Sequence, residues 1–245
     1  MVMKRKVALV TGAATGIGAS LASALAEAGL RVFGADIAWD PATESKSYEQ
    51  VHCDVADAKS VQECVDRIEE EAGGVDVLVN NAAMATELSP RPFDQLTPEE
   101  WTRVLTVNTL SQFLCCKAVV PHMRRKRWGR IINLTSATVF AGTPYMLHYI
   151  ASKGAIVAMT RSLGAELGPD GITVNAIAPG LTETAGIQRN DAYSDEMKAG
   201  VIASRAIARA ERAEDLVGTC LFLAGEGARF ITGQIVVVDG GATFH

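Results

Sequence analysis

The sequence predicts an α/β fold in which helices cover both faces of one mainly parallel, seven-stranded sheet. Short apolar runs of strand length alternate along the chain with stretches that have helical periodicity. These runs are apolar throughout rather than at every second residue, which is typical of parallel strands buried on both faces. A glycine-rich turn separates the first run from the first helical stretch. Together the observations predict a doubly wound sheet of the Rossmann type, with ligands at the carboxyl ends of its strands.

The strands and helices follow in order from the apolar pattern. The seven predicted strands cover residues 7–10, 31–35, 48–52, 77–80, 131–135, 172–177 and 235–238. A helix rich in good helix formers follows the first strand and ends at Gly29. Two later helices have apolar residues at helical spacing, namely Val61, Cys64, Val65 and Ile68, then Ile156, Met159, Leu163 and Leu167. The 245 residues contain no linker or repeat, so we expect a single domain, 1–245.

The turn after the first strand reads TGAATGIG over residues 11–18. A strand, a glycine turn and a helix N-terminus together form a cradle for a pyrophosphate, because glycines let the backbone approach the phosphates and the helix dipole favours negative charge. Asp36 closes the second strand, where a carboxylate can accept hydrogen bonds from the adenosine ribose. The pattern therefore predicts a dinucleotide site.

A second pattern lies in the middle of the chain. Tyr149 and Lys153 are four residues apart, so on a helix they share one face. A cation close to a phenol stabilises the phenolate, and a tyrosine tuned in this way exchanges protons with an alcohol or carbonyl near neutral pH. Ser136 ends the fifth strand and would hold the same substrate oxygen. These residues predict redox chemistry at a carbon–oxygen bond.

Both patterns resemble those of the short-chain dehydrogenase/reductase family over nearly the whole chain. The resemblance rests on TGxxxGIG, an NNAG-like element at 80–83, a helix asparagine, a serine, YxxxK and a PG motif. It implies that the catalytic residues are Asn108, Ser136, Tyr149 and Lys153. It implies that the cofactor-binding residues are Gly12, Thr15, Gly16, Ile17, Gly18, Asp36, Asp54, Val55, Asn81, Ala82, Tyr149, Lys153, Pro179, Gly180, Thr182 and Thr184. Ala83 replaces a glycine of the family, and Thr182 stands where an aliphatic residue is usual.

The expected cofactor is NAD rather than NADP. The carboxylate of Asp36 would repel the 2′-phosphate of NADP, and neither 13–15 nor 37–39 contains a lysine or arginine. The expected activity is therefore interconversion of a secondary alcohol and its ketone. Two alternatives within the family are a ketoacyl carrier-protein reductase, against which Asp36 and Asp170 argue, and a sugar or hydroxy-acid dehydrogenase. A catalytically silent dinucleotide sensor is the alternative from another class.

Composition excludes several other partners. The net charge of −5 and the pI near 5.4 give no general attraction to nucleic acid or to an anionic membrane. Five cysteines without a CxxC pair fit reduced thiols, and four scattered histidines predict no metal site. Residues 7–26 are too polar for a membrane span or signal peptide, so a cytoplasmic location is expected. His148 is interpreted as a residue of the pocket rim or the surface, and the basic run 124–130 as a solvated helix end.

The sequence also indicates how the substrate is enclosed. The family closes its pocket with the least regular segments, here 83–93 and 181–203, and arginines at positions 91 and 189 could meet one carboxylate. The uncharged stretch 131–152 suggests a pocket wall of Val139, Phe140, Tyr145 and Met146, and hence an uncharged substrate with an apolar or aryl group. The resemblance further implies a homotetramer. The apolar residues proposed for its interfaces are Phe113, Leu114, Val119, Ile156, Met159 and Leu163.

Overall fold

The computed structural model describes residues 5–39 and 47–244. The strands in these residues are β1 (Val7–Thr11), β2 (Arg31–Asp36), β3 (Glu49–His52), β4 (Val77–Asn80), β5 (Gly129–Leu134), β6 (Ile172–Pro179), β7 (Thr182–Glu183), β8 (Glu211–Arg212) and β9 (Ile235–Val238). The main sheet has seven strands in the order β3-β2-β1-β4-β5-β6-β9, and every neighbouring pair is parallel. The predicted doubly wound parallel sheet is confirmed.

Helices follow the strands on both faces of the sheet. They are α1 (Gly16–Glu27), α2 (Ala58–Ala72), α3 (Pro98–Leu105), α4 (Ser111–Lys126), α5 (Thr138–Ala141), α6 (Leu147–Leu167), α7 (Ala185–Arg189), α8 (Asp195–Ala203) and α9 (Val217–Ala224). Short 3-10 turns cover Phe93–Gln95, Gly168–Asp170, Ala213–Leu216 and Glu226–Ala228. A π-helical turn, Thr106–Leu110, joins α3 to α4.

Two cores lie on the two faces of the sheet. Val7 and Leu9 of β1 belong to the core that includes α2 and α4, whereas Ala8 and Val10 belong to the core that includes α1 and α9. Successive side chains of a strand point to opposite faces, so a strand that serves two cores must be apolar at every position. This explains the uninterrupted apolar runs of the sequence.

The helical run Pro98–Lys126 is 29 residues long and, by length and composition alone, could cross a membrane. It packs instead against α2, β4 and β5, and its Cys115, Val119 and Met123 belong to the core. Core helices of water-soluble domains share these properties, so a single such helix is weak support for a membrane span.

Several surface predictions need correction. Val119 and Ile156 are fully buried within the subunit, because α4 and α6 pack on the sheet there, so they are wrong as interface residues. Phe113 remains exposed, and Leu114, Met159 and Leu163 are partly exposed. His148 is also buried, with only 1 % of its surface exposed, because it faces α3 rather than solvent.

The basic run 124–130 lies at the amino-terminal edge of the sheet, where β5 begins. Arg124 and Arg127 form ion pairs with Asp170, and Lys126 binds the buried carboxylate of Asp76 at 2.7 Å. Arg130 is itself buried rather than solvated. Ligands of parallel sheets bind at the opposite, carboxyl edge, so this basic run is remote from the expected site.

Candidate active site

A cavity of about 1250 Å³ opens at the carboxyl ends of the strands of the main sheet. It brings together almost all of the predicted site residues. Those that line it are Gly12, Thr15, Gly16, Ile17, Asp36, Asp54, Val55, Asn81, Ala82, Ser136, Tyr149, Lys153, Pro179, Gly180, Thr182 and Thr184. Gly18 and Asn108 lie behind the cavity wall and support it. One site therefore contains both the predicted cradle and the predicted catalytic residues.

The glycine turn after β1 depends on the absence of side chains. Gly12 has φ +66°, and a Cβ there would lie 2.8 Å from Cα of Ala82. A Cβ on Gly18 would collide with the carbonyl oxygen of Gly12. Only glycine adopts the first conformation without strain and leaves the space that the second needs. The chain thus keeps an open backbone cradle at the N-terminus of α1, which fits a pyrophosphate.

Asn81 supports this turn from the neighbouring strand. Its Nδ2 donates hydrogen bonds to the carbonyl oxygens of Thr11 (2.9 Å) and Gly12 (3.0 Å). The Oγ1 of Thr11 in turn accepts from the backbone N–H groups of Asn81 and Ala82. The side-chain amide of Asn81 is therefore used to join the end of β4 to the glycine turn, and the residue lines the cavity while doing so.

Asp36 lies at the end of β2, on the cavity wall. Its Oδ2 accepts a hydrogen bond from the backbone N–H of Ala14 (2.9 Å), and its Oδ1 accepts from that of Ala38 (3.0 Å). These two contacts fix the carboxylate beside the glycine turn. Each oxygen can accept a further hydrogen bond, so the group suits a ligand that presents two adjacent hydroxyls.

The catalytic residues meet at the end of β5 and the start of α6. Ser136 is 5 % exposed, and its hydroxyl lies close enough to the phenol of Tyr149 to favour the phenolate. Nζ of Lys153 donates to the carbonyl oxygen of Leu134 at 2.8 Å and lies 5.9 Å from the centroid of the Tyr149 ring. Burial lowers the pKa of Lys153 to about 8.

The acidity of Tyr149 is governed by burial in this structure. Desolvation by the surrounding protein raises the pKa of Tyr149 to about 12, and the hydrogen bond with Ser136 opposes this only in part. The ammonium group of Lys153 is hydrogen-bonded to the backbone of β5 and lies beside the ring. The tuning of Tyr149 by Lys153 stays a prediction.

Asn108 lies in the π-helical turn and is fully buried. Its Oδ1 accepts from the backbone N–H of Met84 (2.7 Å), and its Nδ2 donates to the carbonyl oxygen of Met84 (3.0 Å) and to Oγ of Ser152 (3.1 Å). The extra residue of a π turn points this amide between two segments of the site. Asn108 thus ties α6 to the segment that follows β4.

The two closing segments, 83–93 and 181–203, meet beside the catalytic residues Ser136, Tyr149 and Lys153. Nδ2 of Asn190 donates to the carbonyl oxygens of Thr86 (2.7 Å) and Leu88 (3.4 Å). Tyr193, three residues later, is buried against the cavity, and desolvation raises the pKa of its phenol. Neither residue follows from the sequence pattern, since each lies in a segment without regular structure.

A buried ion pair between Arg205 and Glu211 fixes the start of the closing segment 181–203. Glu211 accepts hydrogen bonds from the backbone N–H of Gly180 (3.1 Å) and from Oγ1 of Thr182 (2.8 Å). Arg205 donates to the carbonyl oxygen of Leu181 (2.9 Å) and pairs with Glu211. The hydroxyl of Thr182, predicted to contact the cofactor, is thus bound within the protein. Thr184 uses its own hydroxyl to cap α7.

The predicted pocket wall is only half correct. Tyr145 and Met146 line the cavity, whereas Val139 and Phe140 are not among the residues that line it. Both belong to α5, where Val139 faces Gly154 of α6. On the closing segments, Arg189 lines the cavity and Arg91 is paired with Glu100.

Comparisons with known proteins agree with this geometry. A family profile described as "Enoyl-(Acyl carrier protein) reductase" matches residues 12–243. A "Probable galactose dehydrogenase" of Rhizobium meliloti is 36% identical over 242 residues, which cover 95% of this chain and 93% of that protein. The 3-oxoacyl-[acyl-carrier-protein] reductase of Staphylococcus aureus is 35% identical and covers 96% and 97%.

Solved structures match over a similar share of the chain. A structure described as that of a "putative gluconate dehydrogenase" from Agrobacterium tumefaciens has a TM-score of 0.88 at 31% identity and covers 97% of this chain and 95% of that one. ElxO with NADP bound has a TM-score of 0.89 at 26% identity and covers 97% and 98%.

One cavity is lined by the glycine cradle, by the carboxylate at the end of β2 and by Ser136, Tyr149 and Lys153. Proteins that are similar to this chain over nearly its whole length are named as oxidoreductases. Members of their family bind a nicotinamide dinucleotide. The chain therefore belongs to the short-chain dehydrogenase/reductase family and is an oxidoreductase of that family.

Proposed function

We propose that this protein is an NAD-dependent oxidoreductase that interconverts a secondary alcohol and its ketone. The observation that carries the proposal is the meeting of Ser136, Tyr149 and Lys153 in the same cavity as the glycine cradle. When bound, the dinucleotide supplies the hydride chemistry. The protein contributes binding, orientation and the proton.

Each of the three residues has a distinct task. In its phenolate form Tyr149 would take the hydroxyl proton of the alcohol during oxidation, and in its phenol form it would return that proton during reduction. Ser136, whose hydroxyl lies beside that phenol, donates its single proton to the substrate oxygen and holds that oxygen in reach. Lys153 is 2 % exposed and bears a proton at neutral pH, which suits it to a ribose hydroxyl.

Asp36 supports NAD over NADP. Its carboxylate lies on the cavity wall beside Ala14, Ile37 and Ala38, none of which is basic. Two ribose hydroxyls could donate to it, whereas a 2′-phosphate would be repelled. We expect kcat/KM with NAD to exceed that with NADP by at least tenfold. Asp36→Ala should lower the ratio of kcat/KM with NAD to kcat/KM with NADP, and adding Ile37→Arg should lower that ratio further. A preference of the wild-type protein for NADP would contradict the assignment.

The substrate half of the cavity supports an uncharged alcohol with an apolar or aryl substituent. Its lining is largely apolar and includes Met84, Leu88, Pro144, Met146, Ile187 and Met197. Away from Arg189, a charged group against this surface would lose hydration without gaining a partner. A panel of 1-phenylethanol, cyclohexanol, 2-octanol, galactose and gluconate, followed by NADH absorbance, tests the assignment. Rapid turnover of the two carbohydrates with inert apolar alcohols would replace it with a sugar-type substrate.

One group of relatives favours a second candidate activity within the same chemistry. The likeness to carrier-protein reductases makes a ketoacyl thioester the main alternative substrate. Against this stands the position of the basic run 124–130, whose arginines are paired at the edge remote from the cavity. Assay of a ketoacyl thioester with NADPH and NADH separates these activities. A protein inert toward every alcohol and thioester, yet able to bind NAD, would instead be a dinucleotide sensor.

We further propose a cytoplasmic homotetramer without a nucleic-acid or membrane partner. Exposed Phe113 and partly exposed Leu114, Met159 and Leu163 on α4 and α6 support subunit pairing through these helices. Sedimentation at micromolar concentration should show four copies of the 25.9 kDa chain. A monomer alone would exclude this assembly.

A further inference from the structure

The hydroxyl of Ser136 has a neighbour that the family pattern does not include. Oγ of Ser136 lies 2.8 Å from Oγ1 of Thr138 and 3.3 Å from the backbone nitrogen of the same residue. Thr138 is the first residue of α5 and also lines the cavity. Ser136 and Thr138 therefore form a compact pair at the end of β5, on the side of the cavity where Tyr149 lies.

The arrangement restricts what Ser136 can do. A hydroxyl oxygen has two acceptor positions and one proton. The backbone N–H of Thr138 can only donate, so it fills one acceptor position of Oγ. When the Thr138 hydroxyl donates as well, the second position is filled. The proton of Ser136 is then left to donate, and the phenol of Tyr149 is a partner it can reach.

We propose that Thr138 is a positioning residue, whose hydroxyl donates to Ser136 and thereby directs the Ser136 proton toward Tyr149 and the substrate oxygen. The inference rests on the proposed function and deepens it. In the oxidation direction, the alcohol proton would move to the phenolate oxygen of Tyr149, and the nicotinamide dinucleotide, when bound, would accept the hydride. Ser136 keeps its own proton throughout and stabilises the negative charge on the reacting oxygen.

A hydrogen bond donated in the opposite direction, from Ser136 to Thr138, would have a different consequence. Were Ser136 to donate to Thr138, its proton would be used inside the pair, and its oxygen could only accept from Tyr149. A phenol that donates to Ser136 is held in its protonated form. That arrangement would oppose uptake of the alcohol proton, so the direction of one hydrogen bond decides whether Ser136 assists Tyr149.

The main test is Thr138→Val, which keeps the branched shape and the backbone N–H but removes the hydroxyl. We expect kcat for the best alcohol of the panel to fall about 5- to 10-fold, the rate equivalent of one hydrogen bond. The Kd for NAD should change less than twofold, since Thr138 acts on the serine. Thr138→Ser restores the hydroxyl and should recover at least half of the wild-type kcat. Thr138→Ala serves in place of the valine variant if the latter fails to fold.

A double-mutant cycle with Ser136→Ala distinguishes positioning from a general structural effect. If Thr138 acts through Ser136, Thr138→Val should cause no further loss of kcat in the Ser136→Ala background. An equal loss in both backgrounds, an unchanged kcat for Thr138→Val, or no recovery in Thr138→Ser would each overturn the proposal.

The cycle also separates this inference from the proposed function. Large losses in Ser136→Ala and Tyr149→Phe with a normal Thr138→Val would refute the positioning role alone. If those two variants keep full activity, or if no alcohol of the panel turns over with either dinucleotide, the proposed function fails and the positioning role fails with it.

Discussion

Replacement of Lys153 by methionine should abolish activity and yet stabilise the free protein. Lys153 is 2 % exposed, and its ammonium forms no ion pair with any residue in the described part of the chain. Among those residues its ammonium donates one hydrogen bond, to the carbonyl oxygen of Leu134 at 2.8 Å. Burial accordingly lowers its pKa from an ordinary value of 10.5 to about 8. The catalytic cation is kept in place at a cost to folding.

The size of that cost follows from the pKa. A tenfold change in acid dissociation is about 1.4 kcal/mol, so the fall in pKa of Lys153 means that burying its charge costs about 3 kcal/mol at pH 7. Lys153→Met removes the charge and keeps the unbranched shape. It also removes the hydrogen bond to Leu134, which offsets about 1 kcal/mol. We expect the free energy of unfolding to rise by about 2 kcal/mol at pH 7.

The gain in unfolding free energy expected for Lys153→Met should depend on pH. Below pH 8, Lys153 is protonated in both the native and the unfolded chain, so the wild type bears the full penalty. Between pH 8 and 10.5 the native lysine loses its proton first, and the penalty shrinks as the pH rises. The stability difference between the variant and the wild type should therefore be largest below pH 8 and should decline toward pH 10.

The assay is urea unfolding without dinucleotide, at one fixed protein concentration, at pH 7 and pH 10. Lys59→Met is the matched control, because that side chain is 82% exposed and its replacement should alter stability little at either pH. Saturating NAD should stabilise the wild type more than Lys153→Met, since the variant lacks the ribose contact. A variant less stable than the wild type at pH 7, or a gain in stability that is the same at pH 10, would refute the reasoning.

Three further changes test other parts of the site. Tyr149→Phe should lower kcat by about a hundredfold or more with little change in NAD affinity; retention of a tenth of the activity would exclude Tyr149 as the acid/base. Asn190→Ala removes the hydrogen bonds from α7's C-cap to Thr86 and Leu88, and should raise KM for the alcohol about 5- to 10-fold in steady-state assays while kcat changes less. Tyr145 has φ +68°, so Tyr145→Asn should keep or raise the unfolding free energy by up to about 1 kcal/mol and still raise KM for aryl alcohols, because the aromatic rim is lost. A lower stability of Tyr145→Asn in urea unfolding would contradict the inference that the backbone of Tyr145 is strained.

The sheet could be predicted because its signal is local. Strands such as β1, β4 and β9 are apolar at nearly every residue, and the alternating side-chain direction along a strand makes such a run interpretable without knowledge of its neighbours. The short pair β7 and β8 has two residues in each strand and lies outside the main sheet, so no pattern could reveal it. The glycine turn was also predictable, because Gly12 and Gly18 meet local backbone requirements.

The environment of helix α6 could not be predicted in the same way. The rule that adjacent helical residues point about 100° apart places His148 away from Tyr149, but it does not say what lies there. In the structure α6 contacts β6, α3 and the π-helical turn, so it is covered on more than one side. His148 faces Glu100 of α3, and Ile156 faces the core. Burial of a helix face depends on partners distant in sequence.

Thr182 shows how a departure from the family pattern acquires a physical reason. An aliphatic side chain at this position would leave Oε1 of Glu211 without the hydrogen bond that Thr182 donates at 2.8 Å, and a buried carboxylate needs such partners. Glu211 also accepts from the backbone of Gly180, and Arg205 holds the carbonyl oxygen of Leu181. Three consecutive residues, 180–182, at the entry to the closing segment 181–203 are thus fixed by the buried ion pair of Arg205 and Glu211. The threonine and the glutamate depend on each other across 29 residues of sequence, which is why neither could be interpreted alone.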